Sequence, residues 1–211
     1  YTTLFRSHEG SHSWFQQMLA TNESTKPWLD EGFTSYAESY VMYQLFPKPN
    51  EANPFINSLK GYAYFAKSGR EEPASWLSDH HDNGTAYSVA SYTKGELFLV
   101  ELGYIMGEET LSKVMKKYYQ DWHLKHPSDR DFMHIAQQIS GMDLKWFYHY
   151  WINTTKTIDY AIKDVKYGDT YTTITLVNNS DVPTPIDFNV LTKDKKTINY
   201  HIPLNMMRSP K

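Results

Sequence analysis

From residue 3 to about residue 156 the apolar side chains recur at three- and four-residue spacing, and beyond Thr157 the spacing drops to two. The first period belongs to helices that bury a stripe and the second to strands that bury a face, so two units of different class are expected. Helices are predicted over 3–20, 30–45, 54–67, 91–106, 108–122, 129–139 and 143–152. In 30–45, Phe33, Tyr36, Ala37, Tyr40 and Val41 form one stripe, which Pro47 and Pro49 bring to an end. Gly107 separates the apolar segment 91–106 from the amphipathic one after it, and Ser128 with Asp131 reads as a capping box. The polar stretch "SDHHDNGT" reads as a loop with His80 and His81 at the surface. After Thr157, "YTTITLVNN", "IDFNVLTKD" and "KTINYHIPL" alternate and are rich in β-branched residues, with "YGD", "NNSD" and "KDKK" as turns. Three or four strands are few for a free-standing sheet, so this stretch should pack on the helices or continue in a longer chain. The expected fold class is α+β overall: a mainly α unit, 1–157, followed by a small C-terminal β-sandwich-like unit, 158–211.

A formal charge of -3 gives no footprint for nucleic acid or for an anionic membrane, and nucleic-acid partners are set aside. The longest apolar run, Leu97 to Met106, is too short to span a bilayer and carries Glu101, so no transmembrane segment is expected. The chain opens at Tyr1 without Met and shows no targeting segment, which suggests part of a longer parent and leaves the compartment open. Without cysteine, any metal would rest on histidine and carboxylate ligands.

Such ligands are offered by "RSHEGSHSWF". On a helix, His8 and His12 lie one above the other and can present two imidazoles to one ion, with Glu9 one step round, near any water that ion holds. A hydrolytic zinc site needs a third protein ligand and an open position. Eighteen residues after His12, Glu31 in "KPWLDEGFTSYAE" falls near the start of the second helix, which a short connection can lay antiparallel to the first.

These residues resemble the aminopeptidase N-like gluzincin metallopeptidases, whose pattern is H-E-x-x-H, eighteen residues, then Glu in an E-G-[FHL] segment. His8, Glu9, His12, Glu31, Gly32 and Phe33 match it, and Trp14 and Phe15 fit the family's aromatic habit after the second histidine. "AYSVASYTKGELFLVELGYIMG" resembles the family's tyrosine segment, a Tyr followed by x-K-G that opens a long apolar helix; that Tyr is Tyr92. The resemblance covers about residues 1–157, the family's helical catalytic domain without its leading part. It implies one zinc ion per chain on His8, His12 and Glu31, with Glu9 as general base and Tyr92 as hydrogen-bond donor to the oxyanion. It also marks Tyr87 as a residue that touches substrate and Glu38 as a partner behind a ligand histidine.

The implied reaction is zinc-dependent peptide hydrolysis, with zinc-activated water attacking the bond, Glu9 moving the proton and Tyr92 meeting the developing charge. The family grips the substrate's free amine with a glutamate in a G-x-M-E-N loop upstream of the zinc helix, and only seven residues precede His8. Aminopeptidase activity is therefore expected of the intact parent, whose N-terminal domain would pack on this unit. Two other readings stand beside it: a catalytically silent peptidase-like scaffold that binds peptides or partners, and a related zinc hydrolase acting on a non-peptide substrate.

Overall fold

The computed structural model describes residues 2–49 and 53–207. The chain divides into two compact units that part between Thr155 and Lys156.

The first unit is helical. Helix α1 (Thr2–His12) runs into a π-helical stretch, Ser13–Met18, and a second π-helical turn, Trp28–Gly32, leads into α2 (Phe33–Leu45). After α3 (Ile56–Ala66) and a short 3-10 turn, Ser78–His80, come α4 (Gly84–Ser88) and a third π-helical turn, Val89–Thr93. This turn runs directly into α5 (Lys94–Met106), and α6 (Glu108–Trp122), α7 (Asp129–Ser140) and α8 (Lys145–Asn153) follow. Two of these boundaries have clear local causes. Gly107 adopts φ +90° at the corner between α5 and α6, a conformation that an L side chain would resist. At α7 the Ser128 side chain and the Asp131 carboxylate cap each other's backbone, the Ser128 N–H donating to Asp131 Oδ2 at 2.7 Å.

The entry to the tyrosine segment differs from the expected helix over 91–106. Asn83 accepts hydrogen bonds from the N–H groups of Thr85 and Ala86, both at 3.0 Å, and so starts a helix seven residues earlier, inside the stretch read as loop. His80 is exposed as expected, but His81 is not, with only 1% of its side chain open to solvent. Its Nδ1–H donates to Glu72 at 2.6 Å, which gives the ring a polar partner inside.

Packing explains where the site lies. Trp28, Leu29 and Phe33 are all buried, in a core that includes Phe98, Phe132, Tyr118 and Phe147. Trp28 meets Phe98 edge-on at 5.1 Å and Phe33 meets Phe132 at 4.9 Å. Truncating one such buried aromatic commonly costs about 3–5 kcal/mol. Residues 28, 29 and 33 thus anchor both ends of the turn that carries Asp30 and Glu31. Helices α1 and α2 pack on each other, and the Trp28–Gly32 turn packs on α5.

The second unit holds two antiparallel hairpins. Strand β1 (Tyr160–Tyr167) pairs with β2 (Thr172–Asn178) through a register shift between Ile162 and Asp164, and β3 (Ile186–Leu191) pairs with β4 (Thr197–Ile202). Among the described residues the two ladders remain separate two-stranded sheets, and a short helix, α9 (Leu204–Met207), follows. No helix among the described residues is long and apolar enough to cross a membrane.

Candidate metal centre

One side chain from the Trp28–Gly32 turn and two from α1 converge. Glu31 Oε2 lies 3.2 Å from His8 Nε2 and 3.4 Å from His12 Nε2, and the three donor atoms all fall within 4.8 Å of one another. In a tetrahedron with metal–ligand bonds of about 2.1 Å the donors stand about 3.4 Å apart, so the two measured edges suit such an ion. Two imidazoles and a carboxylate are also a donor set whose chemistry suits zinc.

The far nitrogen of each imidazole is also accounted for. His8 Nδ1–H donates to Glu38 Oε2 at 2.9 Å, and His12 Nδ1–H donates to Asp30 Oδ1 at 2.7 Å, with Thr34 Oγ1 at 3.2 Å from the same nitrogen. Carboxylates in these places fix ring orientation, so that both Nε2 atoms face Glu31 and are the nitrogens free to take a metal.

The electrostatics follow from this crowding. Burial works against a charge on His8, but the hydrogen bonds to Glu31 and Glu38 outweigh it and push its pKa up to about 9. Burial would likewise raise Glu31, yet hydrogen bonds from His8 and Tyr92 hold it below the usual carboxylate range. Asp30 is pushed up to about 6 by burial, against the pull of His12. Glu9 is exposed on α1, beside His8 in sequence and open to solvent.

Tyr92 lies in the third π-helical turn. Its ring stacks on His8 at 5.7 Å with 18° between planes, and its hydroxyl lies near enough to Glu31 to help hold that carboxylate's pKa down. Burial and that same carboxylate raise the Tyr92 pKa, so it stays a neutral donor. Tyr87 stands one ring further out, edge-on to Tyr92 at 6.3 Å, and lines a cavity of about 300 Å³ with Ser78, His81, Asn83 and Gly84. Burial raises its pKa too, and the charges of Glu31 and Asp30 add to the effect, which puts Tyr87 within electrostatic reach of the donor set.

Two features escaped the sequence reading. Asp30 and Thr34 behind His12 look like ordinary first-turn residues of a helix. The π-helical turns, one directly after His12, one holding Asp30 and Glu31 and one holding Tyr92, add a residue per turn that a 3.6-residue pattern does not reveal. A signal did exist for a third feature, the dipeptides Glu31-Gly32 and Lys94-Gly95. A Cβ built on Gly32 would stand 2.5 Å from the Gly95 backbone, so these glycines let the segments carrying Glu31 and Tyr92 touch main chain to main chain.

A helical fold of this kind is found in zinc metallopeptidases. The M1 zinc metallopeptidase of Deinococcus radiodurans superposes with a TM-score of 0.58 at 19% identity, over 71% of this chain and 32% of that one. The family model described as the Peptidase family M1 domain matches residues 3–151, and the chain belongs to that family, the aminopeptidase N-like gluzincins. Among its relatives are aminopeptidase M1-A of Oryza sativa subsp. japonica, 27% identical over 77% of this chain, and aminopeptidase B of Rattus norvegicus, 27% identical over 77%. The chain spans 18% and 27% of the length of these two curated relatives.

Proposed function

We propose that the chain is the metal-binding portion of an aminopeptidase, in which His8, His12 and Glu31 hold one zinc ion and a peptide is cleaved next to it. The observation that carries the reading is the convergence of His8 Nε2, His12 Nε2 and Glu31 Oε2, each imidazole being backed by its own carboxylate. When bound, zinc supplies a Lewis acid beside which water ionises near neutral pH.

The remaining work falls to the side chains. Glu38 and Asp30 hold the two imidazoles in register. Glu9 accepts the proton of the attacking water and delivers it to the leaving amine, a role suited to an exposed carboxylate next in sequence to a ligand. The Tyr92 hydroxyl donates to the scissile carbonyl oxygen as charge builds there, and such a donor contributes about 3 kcal/mol to transition-state stabilisation. Tyr87 contacts the substrate on the cavity side.

The relatives named aminopeptidases support a peptide substrate with a free amino end, and a variant of the Deinococcus radiodurans neighbour is described as bound to a Tyr-Ser-Ala substrate. We assign the catalytic portion to residues 1–157 and the start of a β-domain to 158–211. The N-terminal domain of the parent would pack on the helical unit and carry the group that grips the substrate amine.

The test is Glu9→Gln in the full-length protein, assayed on aminoacyl p-nitroanilides. Turnover should fall by about 10²–10⁴-fold with one zinc per chain retained. Undiminished turnover would remove Glu9 from the role of base, and hydrolysis of ester or epoxide substrates alone would favour a non-peptide hydrolase.

A further inference from the structure

Two consecutive carboxylates, Glu71 and Glu72, grip opposite ends of the segment that carries both tyrosines. Glu71 Oε1 takes the ammonium of Lys94, two residues beyond Tyr92, in an ion pair whose lysine side chain is wholly buried. The same ammonium donates to the Thr154 carbonyl at 2.8 Å, and the Tyr62 hydroxyl donates to the same Glu71 oxygen at 2.9 Å. The Lys94 carbonyl in turn accepts the indole N–H of Trp151 at 2.9 Å. At the other end Glu72, itself 7% exposed, takes the His81 Nδ1–H at 2.6 Å on one oxygen and the Asp82 N–H at 3.1 Å on the other.

From His81 the contacts run as a chain of rings to the metal centre. His81 meets Tyr87 edge-on at 5.6 Å and 75°, Tyr87 meets Tyr92 at 76°, and Tyr92 stacks on His8. An apolar pair in place of Glu71 and Lys94 would stabilise the fold about as well. It would not supply a directional bond at the exit of the π-helical turn Val89–Thr93, whose wider winding makes its register depend on how its ends are held.

We propose that Glu71 and Glu72 are positioning residues for the tyrosine segment. By holding Lys94 and His81 they set where Tyr92 presents its hydroxyl to the metal centre. The inference rests on the reading of Tyr92 as the oxyanion donor.

A double-mutant cycle in the full-length zinc-loaded protein tests it, with Glu72→Gln, Tyr92→Phe and their combination assayed on alanyl and leucyl p-nitroanilides. Glu72→Gln keeps an acceptor for the Asp82 N–H but alters the partner of His81 Nδ1. It should lower kcat on the order of 10-fold, with KM within about twofold and zinc content unchanged. Tyr92→Phe should lower kcat by about 10²-fold, and the combination should be no worse than Tyr92→Phe alone. Losses that multiply, or an unchanged kcat in Glu72→Gln, would overturn the positioning role. An unchanged kcat in Tyr92→Phe would instead remove the donor reading beneath it. Glu71→Gln alone strands the buried Lys94 charge, so it is made together with Lys94→Met. That pair should fold and lose kcat in the same way, and full kcat in the folded variant would overturn the part assigned to Glu71.

Discussion

Gly32→Ala places a methyl group against main chain. The new Cβ would stand 2.5 Å from both Cα and the carbonyl carbon of Gly95 and 3.1 Å from the Glu96 nitrogen, where ordinary contact begins at 3.4 Å. Backbone atoms of a helix cannot swing aside as a flexible side chain would, so the two segments must part by about 1 Å. Overpacking of this kind costs about 1–3 kcal/mol, from which the better helix propensity of alanine takes back up to about 1 kcal/mol. For a chain of this size each kcal/mol lowers Tm by about 2–4 °C. The catalytic effect should exceed the thermal one. Glu31 precedes the altered residue and Tyr92 lies three residues before Gly95, so a displacement of about 1 Å between ligand and donor should cost about 10²-fold in kcat. Gly61 is the control. It lies in α3 with nothing within 4 Å of its built Cβ, and Gly61→Ala should leave kcat unchanged and raise Tm slightly. Melting curves, zinc content and p-nitroanilide kinetics on both variants decide the matter. A Gly32→Ala protein with the wild-type Tm and kcat would refute the claim that the Gly32–Gly95 contact sets the site.

Asp30→Ala leaves His12 Nδ1 without its carboxylate, and zinc affinity measured by competition with a chelator should fall by about 10–100-fold. Glu101, on α5, has its pKa pushed up to about 7 by burial. The folded state therefore holds this proton more tightly than the unfolded chain, and Glu101 lowers stability as pH rises from about 4.5 through about 7, by on the order of 3 kcal/mol. Glu101→Gln should remove that decline from a series of denaturant unfolding curves across this range, and an unaltered pH profile would count against the burial argument.

Periodicity carried most of the helical unit, because amphipathic helices must keep one stripe in the core. Leu111, Val114 and Tyr118 on α6 are buried where that stripe puts them, and the last helix of the first unit, α8, ends at Asn153 and the first strand begins at Tyr160, on either side of the change in pattern. Helix α4 was invisible for a physical reason. Its five residues carry no stripe, and its start depends on one Asn83 side chain. The convergence of His8, His12 and Glu31 was legible as spacing, since i and i+4 share a helix face and one short connection returns the chain. The arrangement behind them was not. Asp30 meets His12 from within a π turn, and the buried His81 is met by Glu72, nine residues earlier. Alternation revealed strands after Thr157, but it does not encode which strand pairs with which, and the two separate hairpins had to be seen.

The central claim, a three-ligand zinc site on His8, His12 and Glu31, is tested most directly by metal content. Elemental mass spectrometry on wild-type protein purified without added metal or chelator, beside Glu31→Gln, should find one zinc per chain in the first and little or none in the second. No zinc in either protein after zinc is supplied to the folded chain, or equal zinc in both, would contradict it.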